Sequence, residues 1–172
     1  MIKYLLLFLL AAPAAQAQST DNNTITRKID RIVKQVQADT TLVRVTKTDS
    51  LARAQRSPIM RQRQAVSYFR DSSVVRYQVG RFDGPYLSGF SRDYYFQDDK
   101  LIYLSEEISN SSRMGSCGTV TVKYDYYLKD GELIYFRRGQ PHDFYETCYG
   151  NMGPKDVEGI KEALEADREV YK

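Results

Sequence analysis

The twelve residues from Asp93 to Leu104, DYYFQDDKLIYL, recur 32 residues later as DYYLKDGELIYF, Asp125 to Phe136, with seven of twelve positions identical. Each copy is an aromatic and aliphatic run, two polar residues, and a second apolar run, which is the pattern of a strand, a tight turn and a strand. Asp98-Asp99 and Asp130-Gly131 fall at the turns, and Asp-Gly is among the strongest two-residue hairpin signals. The chain must therefore accommodate two matching hairpins.

Unbroken alternation from two-residue turns pairs Phe96 with Leu101, Tyr94 with Tyr103, Leu128 with Leu133 and Tyr126 with Tyr135. Those eight form one apolar face, assigned to the core. The opposite face carries Gln97, Lys100, Lys129 and Glu132 near the turns, followed by Tyr95, Ile102, Leu104, Tyr127, Ile134 and Phe136. Helices cover such a face in a layered α+β fold. With 14 tyrosines and no tryptophan, the other reading is a recognition surface that includes Tyr95, Tyr127 and Ile134, since tyrosine gives contact area at low entropic cost.

Upstream, the runs Thr41 to Thr46, Ala65 to Arg70, Val74 to Phe82 and Tyr86 to Phe90 are rich in β-branched and aromatic residues and read as strands. Asp71-Ser72 and Asp83-Gly84-Pro85 punctuate them. Between strands, no stretch of a dozen helical residues is present to make parallel crossovers. Before the strands, Ile25, Ile29, Ile32, Val33 and Val36 recur at helical spacing, which predicts a helix over Thr24 to Ala38 capped by Asn22 or Asn23. After them, Gly153-Pro154 leads into a helix with Asp156 and Glu158 in its first turn and Val157, Ile160, Leu164 and Tyr171 on one face. The expected fold is α+β: an N-terminal helix, an antiparallel sheet meander of six to seven strands and a C-terminal helix. A closed all-β barrel is the alternative.

Met1-Ile2-Lys3, the apolar run Tyr4 to Ala12 and Ala15-Gln16-Ala17 match the three regions of a secretory signal peptide. The run is about half the 20 residues that a membrane span needs. Residues 1–17 are thus read as the signal, and 18–172 as one soluble α+β domain in the periplasm or outside the cell. In that oxidising setting Cys117 and Cys148, the two cysteines of the chain, are expected to pair. Such a bridge contributes on the order of 3–4 kcal/mol on the loop-entropy model.

Charge is uneven. Residues 18–92 hold 14 Lys+Arg and 6 Asp+Glu, net +8, whereas 93–172 hold 10 and 16, net −6. Arg53, Arg56, Arg61 and Arg63 concentrate the excess. Pairing with the acidic half is preferred to a polyanion site for this segment.

Catalytic sets are sparse. His142 is the single histidine, six residues before Cys148. A small hydrolase or thiol enzyme built on His142, Asp143, Glu146 and Cys148 needs a free thiol, which a disulfide removes. One histidine and two bridged cysteines do not supply the three or four ligands of a zinc site, and no cofactor motif is present. Glu106 and Glu107, adjacent on a strand, point to opposite faces and cannot work as a pair. The loop Ser109 to Gly118, with Arg113, and the loop Pro141 to Gly150, with His142, Asp143 and Tyr145, would be brought together by the Cys117–Cys148 bridge. The expectation is an exported, non-catalytic binding protein of inhibitor, immunity or envelope-accessory type. Its partner would be another exported or envelope protein, with no nucleic acid and no membrane span.

Overall fold

The computed structural model describes residues 5–51, 61–83, 88–111, 119–139 and 155–169. Helix α1 spans Leu5–Ala38. Seven strands follow, β1 Val43–Leu51, β2 Arg61–Arg70, β3 Ser73–Asp83, β4 Ser88–Gln97, β5 Lys100–Ser111, β6 Thr119–Lys129 and β7 Glu132–Arg138, and then helix α2, Val157–Glu169. The strands form one antiparallel sheet in the order β1-β2-β3-β4-β5-β6-β7. This is the expected α+β meander. Among the described residues β1 and β7 do not pair, so the sheet is open and the barrel alternative falls.

The chain divides into two compact units, Met1–Ala38 and Asp39–Lys172. Within α1, Ile29, Val33 and Val36 are buried while Arg27, Lys28, Arg31 and Lys34 are exposed, as the apolar stripe requires. The helix does not start at Asn22 or Asn23 but continues back to Leu5. Leu, Ala and Gln dominate that extension and are strong helix formers. The expected cap becomes helix interior, where the Thr26 hydroxyl donates to the Asn23 carbonyl at 3.0 Å.

Among the described residues the sheet holds three hairpins of one design rather than two. Turns Asp71-Ser72, Asp98-Asp99 and Asp130-Gly131 close β2–β3, β4–β5 and β6–β7. In each, the register slips two pairs from the turn: between Tyr68 and Phe69, between Tyr95 and Phe96, and between Tyr127 and Leu128. The slip leaves one extra residue on the second strand, Val75, Ile102 or Ile134, which is a β-bulge. The third copy is thus Tyr68-Phe69-Arg70-Asp71-Ser72-Ser73-Val74-Val75, aligned with Tyr95-Phe96-Gln97-Asp98-Asp99-Lys100-Leu101-Ile102.

The bulges correct the expected pairing. Phe96 does face Leu101 and Leu128 faces Leu133, but beyond the extra residue Tyr94 pairs with Leu104 and Tyr126 with Phe136. An added residue inverts the two-residue alternation, so every later side chain changes face. Leu104 and Phe136 therefore join the core with Tyr94, Phe96, Tyr126 and Leu128. Tyr103 and Tyr135 move to the other face, opposite Tyr95 and Tyr127.

Helix α2 packs on the core face through Ile160, fully buried, and Leu164. Asp156 is its N-cap, accepting the Gly159 N–H at 2.9 Å. Tyr171 and Gly153-Pro154, expected to belong to this element, lie outside the described residues.

The turns differ in strain. Asp98 and Asp99 both sit at left-handed φ, 50° and 59°, where the second copy places Asp130 at 51° and Gly131 at 86°. A side chain disfavours this region and glycine does not. Asp99→Gly is expected to raise stability by about 0.5–1 kcal/mol. Urea denaturation measures it, and an unchanged or lower midpoint contradicts it.

Candidate functional site

The face opposite α2 carries one continuous cross-strand row. Arg44 pairs with Tyr68, Tyr68 with Arg76, Arg76 with Tyr95, Tyr95 with Tyr103, Tyr103 with Tyr127 and Tyr127 with Tyr135, so the row crosses all seven strands. The bulges create it, because they bring the residue after each extra position onto this face. Tyrosine ring centroids stand 5.6, 5.0 and 5.6 Å apart along β4 to β7. The Arg76 guanidinium lies over the rings of Tyr68 at 4.8 Å and Tyr95 at 5.4 Å. Edge-on aromatic pairs of this kind contribute about 0.5–1.5 kcal/mol each beyond burial.

The first residue of each DYY repeat anchors the row. Asp93 accepts the Tyr95 hydroxyl at 2.9 Å and both arms of Arg76 at 2.8 and 2.6 Å. Asp125 accepts the Tyr103 hydroxyl at 2.6 Å and Arg137 at 2.7 Å. Burial opposes the Asp125 charge, but the bonds from Tyr103 and Arg137 outweigh it and hold the carboxyl below its ordinary range.

Tyr95 and Tyr127, read from sequence as recognition residues, are each only 1 % exposed. Ile134 is a half-buried bulge residue. The exposed members of the row are its two ends, Arg44 and Tyr135, the latter at 47 %. Arg113, His142, Asp143, Tyr145 and Glu146, the cysteines Cys117 and Cys148, and Arg53 and Arg56 lie outside the described residues; Arg61 and Arg63 fall in β2.

Beneath α2 lies a second polar cluster. Arg92 Nε donates to Glu106 at 2.7 Å, and its Nη1 to Asp167 at 3.0 Å. Lys155 Nζ donates to Glu106 at 2.6 Å. The Tyr94 hydroxyl donates to the Asp167 carboxylate at 2.7 Å, and the Tyr77 hydroxyl to the Asp167 carbonyl at 2.8 Å. Two cations and two anions balance, with Glu106 wholly buried and Glu107 exposed on the opposite face. Burial opposes the Arg92 charge, yet Asp167 and Glu106 push its pKa further up. The cluster pins α2 to the sheet. Each carboxylate in it faces a cation, Glu106 both Arg92 and Lys155, and Asp167 Arg92.

The phenols in these networks resist ionisation. Burial, reinforced by the Asp167 carboxylate, raises Tyr94; burial and the hydrogen bond to Asp125 raise Tyr103; burial and the Glu106 charge push Tyr126 up to about 12. A phenol raised in the folded state lends stability that is complete below its unfolded value of about 10 and is lost as pH climbs through the folded value. Tyrosinate absorbance is therefore expected to rise in two stages above pH of about 10, the second coinciding with loss of β-sheet circular dichroism. A single step with the dichroism intact contradicts this.

Among the described residues, helix α2 leaves the β1 end of the core face open. There an open groove of about 230 Å³ is floored by Val45, Ala65, Ser67, Val74 and Tyr77 and flanked by Lys47 and Arg168. Beside it on the same face, Val43 is 61 % and Val45 45 % exposed. Sequence reasoning missed this site because it placed β1 in the sheet without saying which strands α2 covers. The alternation of Val43, Val45 and Lys47 on a terminal strand is the signal that marks it. Comparison of the chain with protein-family models, curated proteins and solved structures returns no match.

Proposed function

We propose that this chain is an exported, non-catalytic binding protein that docks another exported or envelope protein at the groove between β1–β3 and the end of α2. The observation that carries the reading is the exposure of Val43 and Val45 beside a preformed apolar concavity, since apolar surface on an edge strand is ordinarily blunted or covered. The buried ionic cluster and the tyrosine row supply a rigid scaffold for it. The signal-like residues 1–17 support export. No helix among the described residues is long and apolar enough to cross a membrane. A Cys117–Cys148 bridge would tie the β5–β6 connection to the segment after β7.

Affinity capture with residues 18–172 from the native envelope and secreted fractions tests the reading. A partner is expected to be retained by the parent and by Tyr135→Ser, and lost on Val45→Glu, whose exposed site tolerates the charge. A partner held by Val45→Glu but lost on Tyr135→Ser would transfer the site to the tyrosine face and overturn the groove.

A further inference from the structure

We infer that export ends in a covalent modification: once residues 1–17 are removed, the new N-terminal residue, Gln18, closes on itself to pyroglutamate. The inference rests on the reading of residues 1–17 as a signal and is independent of the groove. Three observations support it.

The cut comes first. Ala15-Gln16-Ala17 is the small-x-small pattern that places cleavage just before Gln18. An N-terminal glutamine carries its own electrophile. The α-amine attacks the side-chain amide carbon, a new N–C bond forms, the old amide C–N bond breaks, and ammonia leaves a cyclic lactam behind. The step consumes no oxidant, reductant or co-reactant, and having both groups on one residue makes it intramolecular. Charge comes second. Helix α1 is continuous from Leu5 to Ala38, so the cut leaves Gln18 in the first turn of the helix that remains. An ammonium at that place faces the positive end of the helix dipole, and the lactam removes its charge just as acetylation of an N-terminus does. Position in the helix is third. From Asp21 onward the first buried side chain is Ile29, whereas Asp21, Asn23 and Thr24 are exposed. The buried stripe of α1 thus begins well past the cut, and neither cleavage nor ring closure disturbs it.

For the test, the chain is produced at full length in its native host, purified from the envelope and secreted fractions, treated with an amine-reactive label and only then digested with trypsin. Residues 18–27 form one tryptic peptide without lysine, so the α-amine is the only amine it can present to the label. Labelling before digestion also bars ring closure during the work-up. The expected product is an unlabelled peptide from Gln18 to Arg27, lighter than the plain sequence by one ammonia. Gln18→Ser, which keeps the small-x-small site but cannot close the ring, should give the corresponding peptide labelled and with no loss of ammonia. A labelled peptide that starts at Gln18 would overturn the modification and uphold the cut. A peptide that starts at any other residue would overturn the signal reading, and the inference with it.

Discussion

Glu106→Ala is expected to lower the stability of the sheet unit by about 3–5 kcal/mol, the range for removing one partner of a buried ion pair. The side chain is wholly buried and accepts from Arg92 at 2.7 Å and Lys155 at 2.6 Å. Its loss leaves Arg92, itself largely buried, with Asp167 as its remaining carboxylate and the Phe90 ring beneath it, while the half-buried Lys155 turns to water. The cost thus falls mainly on the Arg92 charge. Helix α2 should loosen as well, because Lys155 ties the residue before its N-cap to β5. Glu106→Gln keeps an acceptor and should cost less than Glu106→Ala, while Glu107→Ala, on the exposed face, should change stability by less than about 0.5 kcal/mol. Urea denaturation of the three variants decides it, and a Glu106→Ala loss below about 1 kcal/mol contradicts a buried, coupled cluster.

Deletion of Ser105 is expected to abolish cooperative folding, whereas deletion of Ile102, three residues earlier, should cost only about 1–2 kcal/mol. The two outcomes differ because Ile102 is the residue that the ladder leaves over. With Ile102 gone, alternation from the turn runs Leu101, Tyr103, Leu104, Ser105 and Glu106, which keeps Leu104 and Glu106 on the core face and Tyr103 opposite Tyr95. With Ser105 gone, either the bulge stays and Glu106 turns outward, or the bulge is lost and Leu104 does. Leu104 is wholly buried and Glu106 is the centre of the ionic cluster. Since β5 lies between β4 and β6, no edge is available to absorb the error. A chain lacking Ile102 that no longer unfolds cooperatively, or one lacking Ser105 that unfolds within about 1 kcal/mol of the parent, would show that the bulge does not set the faces.

The same bulge separates what was legible in the sequence from what was not. Meander order, antiparallel pairing, three Asp-led turns and both amphipathic helices follow from local patterns: period-two alternation, turn residues and helical stripes. The bulge follows from none of these. Ile102 and Ile134 continue an apolar run without a break in composition, and an extra residue becomes visible only when both strands are paired. That omission put Tyr103 and Tyr135 in the expected core and Leu104 and Phe136 outside it, the reverse of the structure. The third hairpin escaped detection because Arg76 stands where the other copies have tyrosine, and Ser73 where they have Lys100 and Glu132.

The functional surface was less legible for a different reason. Tyr95 and Tyr127 have the composition of a recognition patch, but cross-strand stacking and burial occupy them. The groove depends on where α2 stops along the sheet, a tertiary relation that neither β1 nor α2 encodes alone. Glu106 was correctly separated from Glu107 by strand alternation. Its partners Arg92, Lys155 and Asp167 come from β4, the residue pair before α2 and α2 itself, and only folding brings them together.

Site-specific photocrosslinking tests the groove most directly. A benzophenone amino acid replaces Val43 in one chain and Tyr135 in another, each produced at full length in the native host and irradiated in intact cells. A discrete adduct from Val43, weakened by adding Val45→Glu and absent from Tyr135, is the predicted result. Adducts from Tyr135 with none from Val43 would contradict docking at the groove and return the binding surface to the tyrosine row.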